Sequence, residues 1–246
     1  MKRKIVLDTE TTGLHPDKGD RIVEIGAIEL IDNVKTGKTF HVYLNPQRNM
    51  PEEAFKVHGL SEDFLSNKPL FKDVVGNFLN FIEGSELLIH NAKFDIGFLN
   101  KELDMANKGK LWDHISNAIC TLELSKRLFP KFAPGEVKGH KLDNMCERFG
   151  IDLTEREENG HGALLDCNLL ADCFIKINEL HSAEDIEADL EQTNWTRPPI
   201  KRFNNIELPA IKLSSREEVI HQEFVSNMGT KEKVTPLFNK TSSMKP

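Results

Sequence analysis

The 246-residue sequence has no apolar run that approaches the length of a membrane-spanning helix. Its first residues are basic, but only three apolar residues follow before Asp8, which is too few for the apolar core of a secretory signal. These features predict a soluble globular protein in the cytoplasm. The length suffices for one well-buried domain of common size with an appendage.

The sequence has few cysteines, and no two of the four form a C-x-x-C pair. This pattern indicates neither a zinc knuckle nor a disulfide framework. We therefore expect reduced thiols, mostly in the core, at Cys120, Cys146, Cys167 and Cys173.

The sequence also has fewer basic than acidic residues, so the formal net charge is -7 and the isoelectric point is near 5.8. A protein that holds long nucleic acid by neutralising many phosphates carries the opposite balance. If this chain acts on nucleic acid, metals or partner proteins must help it to bind.

The sequence carries acidic residues in three short motifs. Asp8 and Glu10 come directly after the apolar run 5–7, and the period of two in a strand would point both to one face. Asp95 ends the motif HNAKFD, and Asp166 ends HGALLD. Carboxylate oxygens suit Mg2+ or Mn2+, and two such ions about 3.5–4 Å apart can clamp the attacking and leaving oxygens of a phosphodiester.

His161 opens the third motif and lies between two glycines, so we expect it on a loop before the last helix. Five residues along a helix turn the side chain by about 140°, so His161 and Asp166 would not share a helix face. An unperturbed histidine titrates near neutral pH, and one placed here could accept the proton of an attacking water.

Apolar periodicity predicts an antiparallel meander of three early strands, followed by helices and two short strands. The predicted strands are 4–8, 22–30, 40–44, 87–89 and 119–121, and the predicted helices are 71–82, 94–103, 122–129, 142–149 and 163–180. Gly150 fits the position after a helix C-terminus.

Beyond about residue 181 the composition changes to an acidic block, a Pro-Pro pair between basic residues, and sparse apolar residues. We predict a flexible tail over 181–246 and not a second globular domain. A short amphipathic helix at 213–228 would bury too little surface to fold alone and would need a partner. The alternative, that the tail is disordered or packs on its own domain, stays open.

In this order and spacing, DTETTG at 8–13, HNAKFD at 90–95 and HGALLD at 161–166 resemble the three motifs of the DEDDh, or DnaQ-like, exonuclease family. The segments 41–46, 53–60 and 89–98 resemble the proofreading branch of that family, and the resemblance covers about residues 4–178. It implies an α/β, ribonuclease-H-like fold with a mixed central sheet of about five strands flanked by helices. The implied domains are an exonuclease over 1–180 and a tail over 181–246.

The resemblance also implies roles for the motif residues. Asp8 would bridge two divalent ions, Mg2+ or Mn2+, while Glu10 and Asp166 would complete the first site. Asp95 would act through a water on the second ion, and His161 would be the general base. The implied reaction is 3′-to-5′ removal of misincorporated nucleotides from DNA during replication, with release of nucleoside 5′-monophosphates.

By the same resemblance, the terminal nucleotide would contact the metal ligands and a small pocket. The implied contacts are Asp8, Glu10, Thr11, Gly13, Leu14, Glu53, Val57, His58, Asn91 and Asp166. Without the resemblance, the residue pattern places Val57 in the core and His58 on a loop.

The implied partners are a DNA 3′ end and the catalytic alpha subunit of DNA polymerase III, which would bind the tail. A theta-like subunit and a sliding clamp are further implied partners. The nearest match to a clamp motif is 192–195, but it departs from the pattern because Arg197 stands where a second bulky apolar residue is expected.

Three other interpretations remain open from the sequence. An RNA-trimming enzyme of the same family would use the same metal chemistry, and the contacts to the 2′-OH that discriminate RNA cannot be located in a sequence. Asp8 could be the nucleophile of an aspartyl-phosphate phosphatase, which leaves the other two motifs unexplained. A noncatalytic scaffold for a polymerase could retain the motifs for structure.

Overall fold

A five-stranded mixed sheet forms the centre of the computed structural model, which describes residues 2–132 and 134–181. The strand order is β3-β2-β1-β4-β5. β1 pairs antiparallel with β2, and β2 antiparallel with β3, so the predicted meander is present. β1 also pairs in parallel with β4, and β4 with β5. The predicted ribonuclease-H-like fold class is confirmed.

The strands are β1 Arg3–Thr11, β2 Ile22–Ile31, β3 Val34–Tyr43, β4 Glu86–Ile89 and β5 Asn117–Cys120. The helices are α1 Glu52–His58, α2 Glu62–Ser66, α3 Phe71–Ile82, α4 Ala92–Met105, α5 Thr121–Leu128, α6 Leu142–Phe149, α7 Thr154–Asn159 and α8 Ala163–Leu180.

The alternation of side chains along β1 builds two separate hydrophobic layers. Ile5 and Leu7 join a buried cluster with residues of α3 and α4 on one face. Val6 joins a second cluster with residues of α6 and α8 on the other face. β1 is therefore a central strand covered on both sides, and polar residues at its end are brought into the interior between helices.

Several predicted bounds differ from the observed ones. β1 continues to Thr11, so Asp8 and Glu10 lie within the strand, and a register shift between Glu10 and Thr11 ends its regular pairing with β2. Helices α3, α6 and α8 have the predicted bounds. Gly150 ends α6 with a φ of 67°, in the left-handed region that glycine adopts most easily. The short helices α1, α2 and α7 were not predicted.

All four cysteines are buried free thiols, as expected. No helix in the described part of the chain is long and apolar enough to cross a membrane. The predicted tail over 181–246 lies, after residue 181, outside the described residues, and so do the segments 192–195 and 213–228.

Candidate active site

Two of the carboxylates come from β1. Asp8 pairs with Gly26 and Glu10 with Glu24 across the antiparallel ladder. Asp8 and Glu10 have the parity of Val6, which packs on the side of α8, so both point to the α8 face of the sheet. The period-of-two argument from the sequence therefore agrees with the observed strand.

Asp95 reaches the same strand from the first turn of α4. One of its oxygens accepts a hydrogen bond from the Thr9 backbone N–H at 3.1 Å and another from the Thr9 hydroxyl at 2.7 Å. Asp95 is 2% exposed. These two bonds fix its carboxylate beside Asp8 and Glu10, at the point where the C-terminal ends of the parallel strands β1 and β4 lie together.

Asp166 is supplied by the first turn of α8, which packs unusually close to β2. A Cβ atom on Gly26 would lie 2.4 Å from the backbone of Ala163, so only glycine allows this approach. The Cys167 thiol donates to the Gly26 carbonyl at 3.1 Å and closes the same contact. Gly26 therefore sets the distance between Asp166 and the strand that carries Asp8.

His161 lies on the loop before α8, as predicted, and is 43% exposed. Its backbone N–H donates to the Val57 carbonyl at 3.1 Å, which ties this loop to α1. Nδ1 lies 3.5 Å from Asp166 Oδ2. One ligand atom from each of Glu10, His161 and Asp166 lies within 4.8 Å of the others, a spacing that can hold a metal ion.

Arg156 of α7 is the residue of this site that the sequence analysis missed. Its guanidinium contacts both oxygens of Asp166, through Nε at 2.8 Å and through a terminal nitrogen at 2.9 Å. The Nε contact is a charge contact without hydrogen-bond alignment, which leaves Asp166 Oδ1 buried and without a hydrogen-bond partner. The guanidinium also binds His161 Nδ1 at 2.9 Å and Asp143 of α6. No motif marked Arg156, because α7 was itself not predicted.

Crowding and burial of the acids change their protonation. Burial raises the pKa of Asp8 well above its usual range, and Asp95, Glu10 and Asp166 raise it further. Burial, then Asp166 and Glu24, raise the pKa of Glu10 to about 8. Burial raises the pKa of Asp95 to about 7 against the hydrogen bonds from Thr9. Such a cluster favours a cation, and Arg156 supplies one that lowers the pKa of both Asp8 and Glu10.

The donor set therefore fits a divalent metal. Several carboxylates with hard oxygen donors converge within reach of one histidine, and a buried oxygen of Asp166 lacks a hydrogen-bond partner. The ordinary fate of uncompensated buried carboxylates is protonation, which matches the raised pKa values of Asp8, Glu10 and Asp95. A bound divalent ion would stabilise the charged carboxylates and so lower these pKa values.

A pocket of about 470 Å³ lies beside the carboxylates. The predicted nucleotide contacts among its lining residues are Glu10, Thr11, Gly13, Leu14, Glu53, Val57 and His58, together with Phe94, which the sequence analysis did not select. Asn91 is exposed at the start of α4 with a φ of 62° and is not among the lining residues.

The interpretation of Val57 and His58 from the residue pattern alone was wrong. Val57 is 45% exposed, and His58 is 5% exposed on α1, so their burial is the reverse of the expectation. The seven-residue helix turns Val57 into the pocket. His58 Nδ1 accepts from the Leu60 backbone N–H at 3.0 Å, and burial lowers the pKa of His58. Its Nε2 is buried without a hydrogen-bond partner among the described residues.

Comparison with known families identifies one match over most of the chain. The Exonuclease family (RNase_T) matches residues 5–174. The curated relative "DNA polymerase III subunit epsilon" of Rickettsia felis is 40% identical over 229 residues, which cover 92% of this chain and 96% of that protein. The protein of the same name from Buchnera aphidicola subsp. Acyrthosiphon pisum is 38% identical and covers 97% of this chain and 99% of its own.

Solved structures show the same fold at lower identity. Exonuclease X, in complex with 5′ overhanging duplex DNA, is 23% identical with a TM-score of 0.55 and covers 76% of this chain and 99% of its own. The nuclease domain of 3′hExo, a DEDDh family member bound to rAMP, is 20% identical with a TM-score of 0.59 and covers 72% of this chain and 92% of its own.

Proposed function

Because the chain belongs to the exonuclease family, and within it to the DNA polymerase III epsilon subunits, we propose that the β1, α4 and α8 carboxylates hydrolyse the last phosphodiester of a DNA 3′ end. The protein is a metal-dependent 3′-to-5′ exonuclease that proofreads during DNA replication.

One observation carries the assignment of the site. Glu10, His161 and Asp166 come from three different elements, yet their ligand atoms lie within 4.8 Å of one another, directly beside a pocket of nucleotide size. Convergence of carboxylates in a buried site costs free energy, because the charges repel each other and lose their hydration. A site with this arrangement is therefore expected to bind a cation.

Asp8, Glu10, Asp95 and Asp166 would hold the two ions, which would supply Lewis-acid stabilisation of the attacking and leaving oxygens. Asp8 would be a ligand to both ions in this assignment; Asp95 and Asp166 both raise its pKa, which shows that both carboxylates act on it. Thr9 keeps Asp95 oriented through two hydrogen bonds to a single oxygen. The other oxygen remains available to a water.

His161 would take the proton of the attacking water. Its side chain is partly exposed, so a proton can leave to solvent, and its backbone N–H is tied to Val57 at the edge of the pocket. The loop that carries it is short and is followed at once by α8, which brings His161 close to the ligand Asp166.

The pocket between β1 and α1 would hold the terminal nucleotide. Leu14, Val57 and Phe94 give it apolar walls against which a base can pack, and His58 places a buried polar atom, Nε2, at the pocket. Thr11 and Gly13 line the same pocket at the end of β1. A single frayed nucleotide fits such a site, which favours mispaired ends because their pairing is already lost.

The partners follow from charge and from the extent of the relatives. A chain with a net charge of -7 holds little DNA by itself, so a polymerase would hold the duplex while this subunit grips the last nucleotides. The match to the Rickettsia felis protein covers 92% of the chain, and residues 1–181 are less than three quarters of it, so the similarity extends into the tail.

We assign the tail, 181–246, to the catalytic alpha subunit of DNA polymerase III, in the cytoplasm. A theta-like subunit and a sliding clamp are further proposed partners, and because 192–195 departs from the clamp pattern at Arg197, no clamp site is assigned to it. Deleting 181–246 is expected to abolish co-elution with the polymerase while nuclease activity persists. Co-elution of the truncated protein with the polymerase would contradict this assignment.

The first experiment uses the purified full chain with 5′-labelled DNA that carries a mismatched 3′ end, with matched DNA, and with RNA of the same sequence. Shortening in Mg2+, none in a chelator, and a preference for the mismatched DNA are expected. The matched variant is Asp8→Ala with Glu10→Ala, which should remove hydrolysis but keep polymerase binding. Hydrolysis that persists in this variant, or a preference for RNA, would refute the proposal.

A further inference from the structure

Arg156 is a buried cation in the site for which the proposed reaction has no use. Its side chain is 9% exposed and lies between α6, α8 and the His161 loop. Arginine is rarely buried unless it is paired with a carboxylate. One partner of Arg156 is Asp166, which is proposed as a metal ligand.

The guanidinium lies against both oxygens of Asp166 that an ion would need, although only Oδ2 accepts a hydrogen bond from it. Nε lies 2.8 Å from Oδ1, and a terminal nitrogen lies 2.9 Å from Oδ2. A divalent ion on either oxygen would stand next to a fixed positive charge in a buried setting, where repulsion between like charges is strong. Arg156 and the ion therefore compete for Asp166.

The same terminal nitrogen engages His161 Nδ1 at 2.9 Å. A guanidinium only donates hydrogen bonds, so Nδ1 must be the acceptor, and the proton of a neutral imidazole is then on Nε2. Neither ring nitrogen is free to accept a proton from water in this arrangement. The contact that blocks Asp166 thus also disables His161 as a base.

The guanidinium of Arg156 lies beside a cavity into which it can move. Arg156 borders an open cavity of about 560 Å³ that is also lined by the acidic residues Asp143, Glu147 and Glu157. It already contacts Asp143. A rotation of its side chain toward these carboxylates would keep its charge compensated after it leaves Asp166.

We infer that Arg156 is a placeholder cation, a positioning residue that holds Asp166 and His161 in an inactive arrangement until a divalent ion displaces it, and that its displacement frees His161 Nδ1. The inference rests on the proposed function, because it needs a metal at Asp166. Metal loading and availability of the base would be a single coupled event.

The direct test is NMR of the full chain, with the arginine Nε–Hε signal of Arg156 identified by its loss in Arg156→Lys. Titration with Mg2+ alone is expected to shift this signal and the ring signals of His161 together, with one midpoint. If calorimetry shows that Mg2+ binds while the Arg156 signal stays unchanged, the inference fails and the proposed function stands. If Mg2+ does not bind at all, the proposed function fails as well.

Metal affinity gives an independent readout. If the displaced form is about a tenth of the metal-free protein, Arg156→Gln should tighten Mn2+ binding by about tenfold, because the competitor is gone. Arg148→Gln is the matched control: Arg148 is another partly buried arginine, and it donates to the carbonyls of Val137 and Gly139. It should leave Mn2+ affinity unchanged. Weaker Mn2+ binding in a folded Arg156→Gln would show a purely supporting role and overturn the inference.

Discussion

Because the pKa values of Glu10 and Asp95 are raised, the stability of the fold is expected to fall as pH rises. A carboxylate in an ordinary ion pair has the opposite effect. A carboxyl group whose pKa is higher in the folded protein favours folding while it is protonated. That contribution is full below about pH 4, and it is lost as pH rises through about 7 for Asp95 and about 8 for Glu10. The metal-free protein should therefore lose stability across this range, and bound Mg2+ should reverse the loss.

Glu10→Gln isolates this effect. In a chelator at pH 8.5 the variant should unfold a few degrees higher than the natural protein, because an amide carries no charge to desolvate, and at pH 5 the gap should close. Glu52→Gln, an exposed glutamate on α1, is the control and should show no such pH dependence. Thermal unfolding by circular dichroism measures both, and an equal gap at both pH values would contradict the assigned cause.

Substitution of Leu14 is expected to weaken substrate binding without lowering the stability of the fold. Leu14 is 71% exposed and lines the pocket proposed to hold the terminal nucleotide. Loss of the apolar contact with the base should raise KM for single-stranded DNA about tenfold in Leu14→Ala, with the unfolding free energy changed by no more than about 0.5 kcal/mol. Val34→Ala on β3 removes a similarly exposed apolar side chain outside the pocket and should leave KM unchanged. A KM for Leu14→Ala equal to that of the natural protein would remove Leu14 from the site.

At the scale of elements, the approach of α8 to β2 determines whether Asp166 reaches Asp8. In Gly26→Ala the new Cβ would stand 2.4 Å from the Ala163 backbone, so α8 must move. Overpacking of this kind costs about 1–3 kcal/mol of stability. Nuclease activity and Mn2+ affinity should both fall, because Asp166 moves with the helix.

Gly76→Ala is the control for this substitution. Gly76 lies within α3, and a Cβ there meets nothing within 4 Å, so the change should be neutral or stabilise by up to about 1 kcal/mol. Unfolding in urea and Mn2+ titration compare the two. A Gly26→Ala protein with natural Mn2+ affinity would show that α8 tolerates the displacement without moving Asp166.

The sequence predicted elements well where burial imposes a period. α3 and α8 are long and bury apolar residues at helical spacing, and their bounds agree with the prediction. α1 and α7 are short and bury few side chains, so no period marks them. These two helices carry Val57, His58 and Arg156, which is why the pocket wall and the buried cation could not be found from residue pattern alone.

The motif acids were identifiable because strand period and motif spacing are local properties. The residues that hold these acids in place could not be identified from the sequence. Thr9 hydrogen-bonds Asp95, and Gly26 lies under Ala163, through contacts between residues far apart in the chain. No local pattern distinguishes such a threonine or glycine from others in a strand.

At the scale of the whole molecule, the negative net charge limits the number of phosphates that the isolated protein can engage. With two or three phosphate contacts, the logarithm of the affinity for single-stranded DNA should fall with the logarithm of salt concentration with a slope of about -2. Binding of a labelled oligonucleotide in Ca2+, a hard cation that takes oxygen ligands as Mg2+ does, measures the slope from 50 to 200 mM salt, a range of about fourfold. A slope of about -5 or steeper would mean a long DNA track on this chain.

The site joins the first strand of the described chain to its last helix, since Asp8 lies on β1 and Asp166 on α8. During synthesis on the ribosome, β1 emerges first, and its acids wait for almost all of the remaining domain before their partners exist. A chain that ends before Asp166 therefore lacks one of the proposed metal ligands. The proposed hydrolysis therefore requires a chain that has been made at least as far as α8.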